Sequence, residues 1–86
     1  MGTREWPSWW DWELELSPHL LKRMIDRSFT EVDLRRMLEQ ATGLREDIVD
    51  GRWLAETWHL GHPWAVIVEP DAELQLLVVV TAYRVW

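Results

Sequence analysis

The sequence predicts an α+β domain: a strand, two helices, then an antiparallel β-meander, with the helices packed on one sheet face. Three observations predict it. Trp10 to Leu16 alternates apolar and acidic residues, which is the period of a strand with one wet face. Two amphipathic segments with capping residues follow. The last third is a pair of apolar runs joined by a glycine turn and ending in Leu76-Leu77-Val78-Val79-Val80-Thr81-Ala82-Tyr83, β-branched in its middle and too short to span a membrane.

Taken in order, Trp6-Pro7-Ser8-Trp9-Trp10 is irregular and aromatic. Residues 1–9 read as a Trp-rich segment ahead of an α+β core at 10–86, the whole forming one domain. In the first strand Trp10, Trp12, Leu14 and Leu16 point one way, and Asp11, Glu13 and Glu15 the other. Ser17-Pro18 supplies an N-cap followed by proline at the first helical position. A helix over Pro18–Arg27 would bury Leu20, Leu21, Met24 and Ile25, and Phe29 closes the turn after it. Thr30-Glu31-Val32-Asp33 resembles a capping box with Asp in the place of Glu. The second helix would bury Leu34, Met37, Leu38 and Ala41 and stop at Gly43.

Leu44 to Asp50 reads as a connection with a short strand at Ile48-Val49. A strand over Arg52–Leu60, a type II′ turn at Gly61-His62 and a return strand over Pro63–Glu69 form a hairpin. Pro70-Asp71-Ala72-Glu73 then turns the chain into the final run. That run hardly alternates before Thr81 and Tyr83, so it is expected to be a central strand covered on both faces.

Eighty-six residues, 48% hydrophobic and 28% charged, suit one globular core without staples. The absence of cysteine excludes disulfides and thiolate–metal sites and fits a reducing, cytoplasmic setting. Arg4, Glu5 and the Trp/Asp mixture after them leave no apolar signal-peptide region. A net charge of -6 argues against nucleic acid, whose phosphates call for a basic face, and favours a basic or neutral protein partner. Eight tryptophans are the anomaly, since indole is placed where its ring is buried or where it serves an interface.

With the turn at Gly61-His62, Leu60 falls opposite Pro63 and Trp58 opposite Ala65. One hairpin face then carries Trp53, Ala55, Thr57, His59, Trp64, Val66 and Val68, the expected core. The other carries Leu54, Glu56 and Glu69 at its base, and Trp58, Leu60, Pro63, Ala65 and Ile67 towards the tip. An uncharged tip of this kind is either covered by the N-terminal tryptophans or left open as an interface. In the second case Trp58 and Leu60 are the contacts, with His62, Pro63, Ala65 and Ile67 around them. His59 and His62 flank Gly61 without a third ligand, so no metal site is expected, and no cofactor motif is present. Histidine at the tip would make binding depend on pH between about 5 and 8.

His19 to Arg27, Phe29-Thr30-Glu31, Gly61-His62-Pro63-Trp64, Val66 to Asp71 and Val80 to Tyr83 together resemble a family of small bacterial domains of unknown function. That family is similar in fold to RelE-type ribonuclease toxins. The resemblance implies a metal-independent endoribonuclease with His19 as acid or base, Arg23 and Arg27 on phosphate, and Thr81 or Tyr83 as polar groups. His19 and Arg23, at i and i+4, do share a helix face, but it lies opposite the buried stripe. In relatives the positions of Trp58, Leu60 and His62 tend to be basic and that of Ala65 acidic. The resemblance therefore implies a charged tip rebuilt for apolar contact, as in an engineered binder or inhibitor. The function expected is protein binding through the hairpin; the ribonuclease and a homodimer through the same patch are the alternatives.

Overall fold

The structure, a computed structural model, describes residues 6–85; residues 1–5 of the Trp-rich segment lie outside them. The fold is α+β. One turn of 3-10 helix (Ser8–Asp11) leads into β1 (Glu13–Leu16), α1 (Pro18–Asp26), α2 (Glu31–Glu39), β2 (Gly43–Glu46), β3 (Trp53–His59), β4 (His62–Asp71) and β5 (Leu76–Arg84). The strands form one mixed sheet in the order β1-β5-β4-β3-β2, with β1 parallel to β5 and the remaining neighbours antiparallel.

Both helices start and stop as their end residues dictate. The Ser17 hydroxyl accepts from the Leu20 N–H at 3.0 Å and donates to the Val80 carbonyl at 2.7 Å, capping α1 and tying it to β5. At the other end Ser28 takes φ of 55°, and the N–H groups of Ser28 and Phe29 bond the carbonyls of Ile25 and Met24. That is a Schellman closure with serine in the usual glycine place. Thr30 and Asp33 complete a reciprocal capping box at the start of α2.

The core lies between the helices and one sheet face. Leu20 of α1, Phe29, and Leu34, Met37 and Leu38 of α2 pack on Ala55, Trp64, Val66, Val68, Leu77, Val79 and Ala82. Phe29 meets Trp64 edge-on, with ring centroids 5.4 Å apart. The buried Thr57 hydroxyl donates to the Met37 carbonyl, so no polar side-chain atom buried among the described residues lacks a partner.

Several expectations are corrected. The inward arc of α1 is Leu20 and Met24; Leu21 is exposed and Ile25 is 81% exposed, because α1 packs chiefly on β5 at one side of the sheet. Helix α2 ends at Glu39, and Gly43 opens β2 rather than closing the helix. The strand in the connecting segment is therefore at Gly43–Glu46, while Ile48 and Val49 lie exposed in the β2–β3 turn. Strand β4 runs on through Pro70 and Asp71, and the Asp71 carboxylate accepts from the N–H groups of Glu73 and Leu74 to shape the next turn.

The hairpin register also differs. His59 pairs with His62, Trp58 with Pro63 and Glu56 with Ala65, and the turn is Leu60-Gly61 with φ of 51° and 77°, a type I′ geometry. Proline explains the slip. The pair that closes a two-residue turn exchanges both backbone hydrogen bonds, and Pro63 has no N–H to donate opposite Leu60. His62 takes the closing position instead. Each residue's partner moves by two, so the assignment of side chains to faces is unchanged.

Candidate functional site

The face of the sheet away from the helices has no second layer among the described residues. This overturns the expectation that β5 is covered on both sides. The N-terminal tryptophans lie elsewhere: Trp6, Trp9, Trp10 and Trp12 pack against the helix-side core. Trp6 stacks on Trp10 at 4.7 Å, and Trp9 tilts against Trp53 at 5.6 Å. They extend the helical layer over the end of the core where β5 begins and Trp53 of β3 lies. Trp58 is consequently 51% exposed and Leu60 83% exposed.

The register sets what the open face carries. Trp58, Glu56 and Leu54 of β3 lie beside Pro63, Ala65 and Ile67 of β4, which lie beside Tyr83 and Thr81 of β5. An irregularity between Ile67 and Val68 leaves Val80 as the extra residue opposite them. This bulge reverses the alternation of β5, so Thr81 and Tyr83 share the open face with Leu76 and Val78. The carbonyl of the bulged Val80 is the one that accepts from Ser17.

The side chains form a groove of about 370 Å³ whose lining includes Leu54, Glu56, Trp58, Pro63, Ala65 and Tyr83. Trp58 and Tyr83 stand on strands either side of β4, Trp58 beside Pro63 and Tyr83 beside Ala65, hence set diagonally and about 12 Å apart at the backbone. Between them the floor is low, formed by Pro63 and Ala65. Ala65 and Ile67, 2% and 6% exposed, are recessed beneath taller neighbours. They shape the site and offer almost no contact area of their own.

Charge is distributed unevenly over this face. Glu56 pairs with Arg45 at 3.4 Å and Glu69 with Arg52 at 3.1 Å. Gly43 stands opposite Glu56, and a Cβ there would come within 3.2 Å of its carboxylate, so the glycine leaves room for the pair. Glu13 and Glu15, opposite Leu76 and Val78 in the register, are exposed and make no ion pair among the described residues. The groove end is aromatic and locally neutral; the β1 end is acidic.

Of the residues singled out from the sequence for partner binding, Trp58, Pro63, Ala65 and Ile67 fall on this face. Leu60 occupies the turn. His62 falls on the other side, next to His59, whose ring meets Trp64 edge-on at 5.4 Å. Leu54 and Tyr83 belong to the groove although neither was read as a partner contact. The polar alternation of Thr81 and Tyr83 was the available signal that β5 has a second, uncovered face.

The residues implied by the ribonuclease likeness do not converge. His19 is exposed on α1, and Arg23 lies 3.8 Å from Asp26. Arg27 donates to the Ala82 carbonyl at 2.8 Å, filling the part of the β5 edge that β1 does not reach. All three are on the helical side, whereas Thr81 and Tyr83 face the opposite way. Among the described residues no cluster of His, Cys, Asp or Glu could hold a metal ion, and no helix is long and apolar enough to cross a membrane. The Asp33 carboxyl is held below the usual aspartate range by the Thr30 N–H, helped by the Thr30 hydroxyl and nearby His59.

No protein-family model, curated protein or solved structure matches the chain.

Proposed function

We propose that this protein is a protein-binding module that docks through the uncovered sheet face at its hairpin end. The observation that carries the proposal is that Trp58 stands half exposed on the wall of an open groove. Four other tryptophans pack on the opposite side of the sheet, where they cannot cover it. An accessible indole flanked by Pro63, Leu54 and Tyr83 has the composition of an interface hot spot. The chemistry suits a natural adaptor and an engineered binder or inhibitor equally. Catalysis by His19, Arg23 and Arg27 would have to proceed without Thr81 and Tyr83, on a helix face with no cleft around it, and binding is the better supported reading.

The test uses a displayed library of random peptides panned against the intact protein and against Trp58→Asp. Trp58 contributes little to the core, so the variant should keep its circular dichroism spectrum and unfold within about 1 kcal/mol of the parent. The expected result is a set of peptides enriched on the parent and lost on the variant. Enrichment that ignores Trp58, or none at all, overturns the proposal.

A further inference from the structure

We infer that the segment this face takes is an extended, proline-rich stretch of another protein, with a lysine or arginine a few residues beyond the prolines. The inference rests on the binding-module reading and names the chemistry of its partner.

Shape is the first argument. The groove follows β4, with Trp58 on the β3 side, Tyr83 on the β5 side and short residues between them. The two aromatic side chains, set diagonally across β4, leave a gap narrower than their backbone separation of about 12 Å. An α-helix with its side chains is about 10–12 Å wide and would ride above such a slot without entering it. A β-strand gains its affinity from backbone hydrogen bonds along a sheet edge, and a sheet face offers none. A polyproline II segment needs neither. It is narrow, preformed and solvated along its backbone, and its pyrrolidine rings seat between aromatic side chains. The Tyr83 hydroxyl and the Trp58 indole N–H are the donors suited to its bare carbonyls.

Charge is the second argument, and it orients the ligand. From Pro63 and Ala65 the β4 floor passes Ile67 to Glu69, with Glu15 and Glu13 one strand beyond β5. Glu15 lies four residue steps from Ala65 along the sheet and two strands across, about 17 Å away, which five or six residues of polyproline II cover at about 3.1 Å each. Arg52 already partners Glu69, whereas Glu13 and Glu15 have no counter-ion among the described residues. A cationic side chain at that distance from the seated prolines meets the free acids, and an acidic one is repelled.

The experiment titrates a synthetic peptide of about twelve residues, with prolines in P-x-x-P spacing and an arginine five or six residues beyond. It is followed by isothermal calorimetry and by the indole and tyrosine signals in NMR. The intact protein should bind with Trp58 and Tyr83 signals shifting together, and Trp58→Ala and Tyr83→Ala should each weaken binding about tenfold. Replacing the prolines by alanine should abolish binding, and reversing the arginine to glutamate should weaken it several-fold. Equal affinity for the alanine peptide overturns the inference. So does sedimentation of the free protein as a dimer that Trp58→Asp dissociates, since a second copy then fills the groove. If the library yields Trp58-dependent peptides without proline, this inference falls while the binding module stands.

Discussion

The two faces of the three central strands, β5, β4 and β3, are treated in opposite ways. On one, Ala55, Val66, Val68, Val79 and Ala82 lie under two helices and a cluster of indoles. On the other, Leu54, Trp58, Ile67 and Tyr83 have no layer above them among the described residues. Both contain tryptophan, so composition does not separate them; cover does. Trp64 is 7% exposed beneath Phe29 and His59, whereas Trp58, on the neighbouring strand, is half in water. Apolar surface removed from water stabilises the fold, and the same surface left open remains available to a partner.

Paired substitutions on the two faces probe that contrast most directly. Trp64→Ala should cost about 3–5 kcal/mol of unfolding free energy in urea, because it empties a filled core. The Trp58→Asp change used for the binding test should cost far less; equal losses at the two sites would remove the distinction between the faces. Next in size is Ser17→Ala, which deletes the α1 cap and leaves the bulged Val80 carbonyl without its donor. About 1–2 kcal/mol should be lost, seen as a lower melting temperature. Loss of only a few tenths would mean that the bulge is held by the sheet alone.

Leu60→Asn acts in the other direction. Leu60 sits at φ of 51° in the type I′ turn, where a branched apolar side chain is strained and asparagine is at ease. Stability should rise by about 0.5–1 kcal/mol, measured by chemical denaturation, and an unchanged midpoint would argue against the left-handed conformation. The smallest effect is expected at Asp33, whose folded-state pKa is depressed. A depressed carboxylate contributes stability that is present above its unfolded pKa and lost as pH falls through the folded one. The stability gap between the parent and Asp33→Asn should therefore close as pH drops through the acid range, and a constant gap would show that the capping box owes nothing to charge.

How far the sequence carried depends on whether a signal was local. The strand at β1 from Glu13 onward, the caps at Ser17 and Thr30, the buried stripe of α2 and the face assignments of the hairpin were legible, because each depends on residues within a few positions; the expected start of that strand at Trp10 was wrong, since Ser8–Asp11 is a turn of 3-10 helix. The bulge at Val80 was not legible. One extra residue turned an alternating strand into an apparently continuous apolar run, which reads from sequence as a strand buried on both sides. Strand β2 has too few residues, including a glycine and two charges, to declare itself; its pairing with β3 makes it a strand. The hairpin slip, by contrast, was available in principle, since Pro63 lacks the N–H that the expected register required.

The candidate site divides in the same way. Trp58, Pro63 and Ala65 were found as one apolar surface from parity alone. Leu54 and Tyr83 joined them only in three dimensions, because the chain brings β5 beside β4 with its bulge in place.

By itself, the sequence determined that this is an α+β domain with a hairpin whose solvent-side residues include an unusual tryptophan. Caps, turns and alternation are interactions between near neighbours, so they are written in the order of the residues. Which side the N-terminal tryptophans would cover was decided by the tertiary structure alone. That choice depends on where β1 enters the sheet beside β5 and on the contact of Trp9 with Trp53, both of which join residues far apart in the chain.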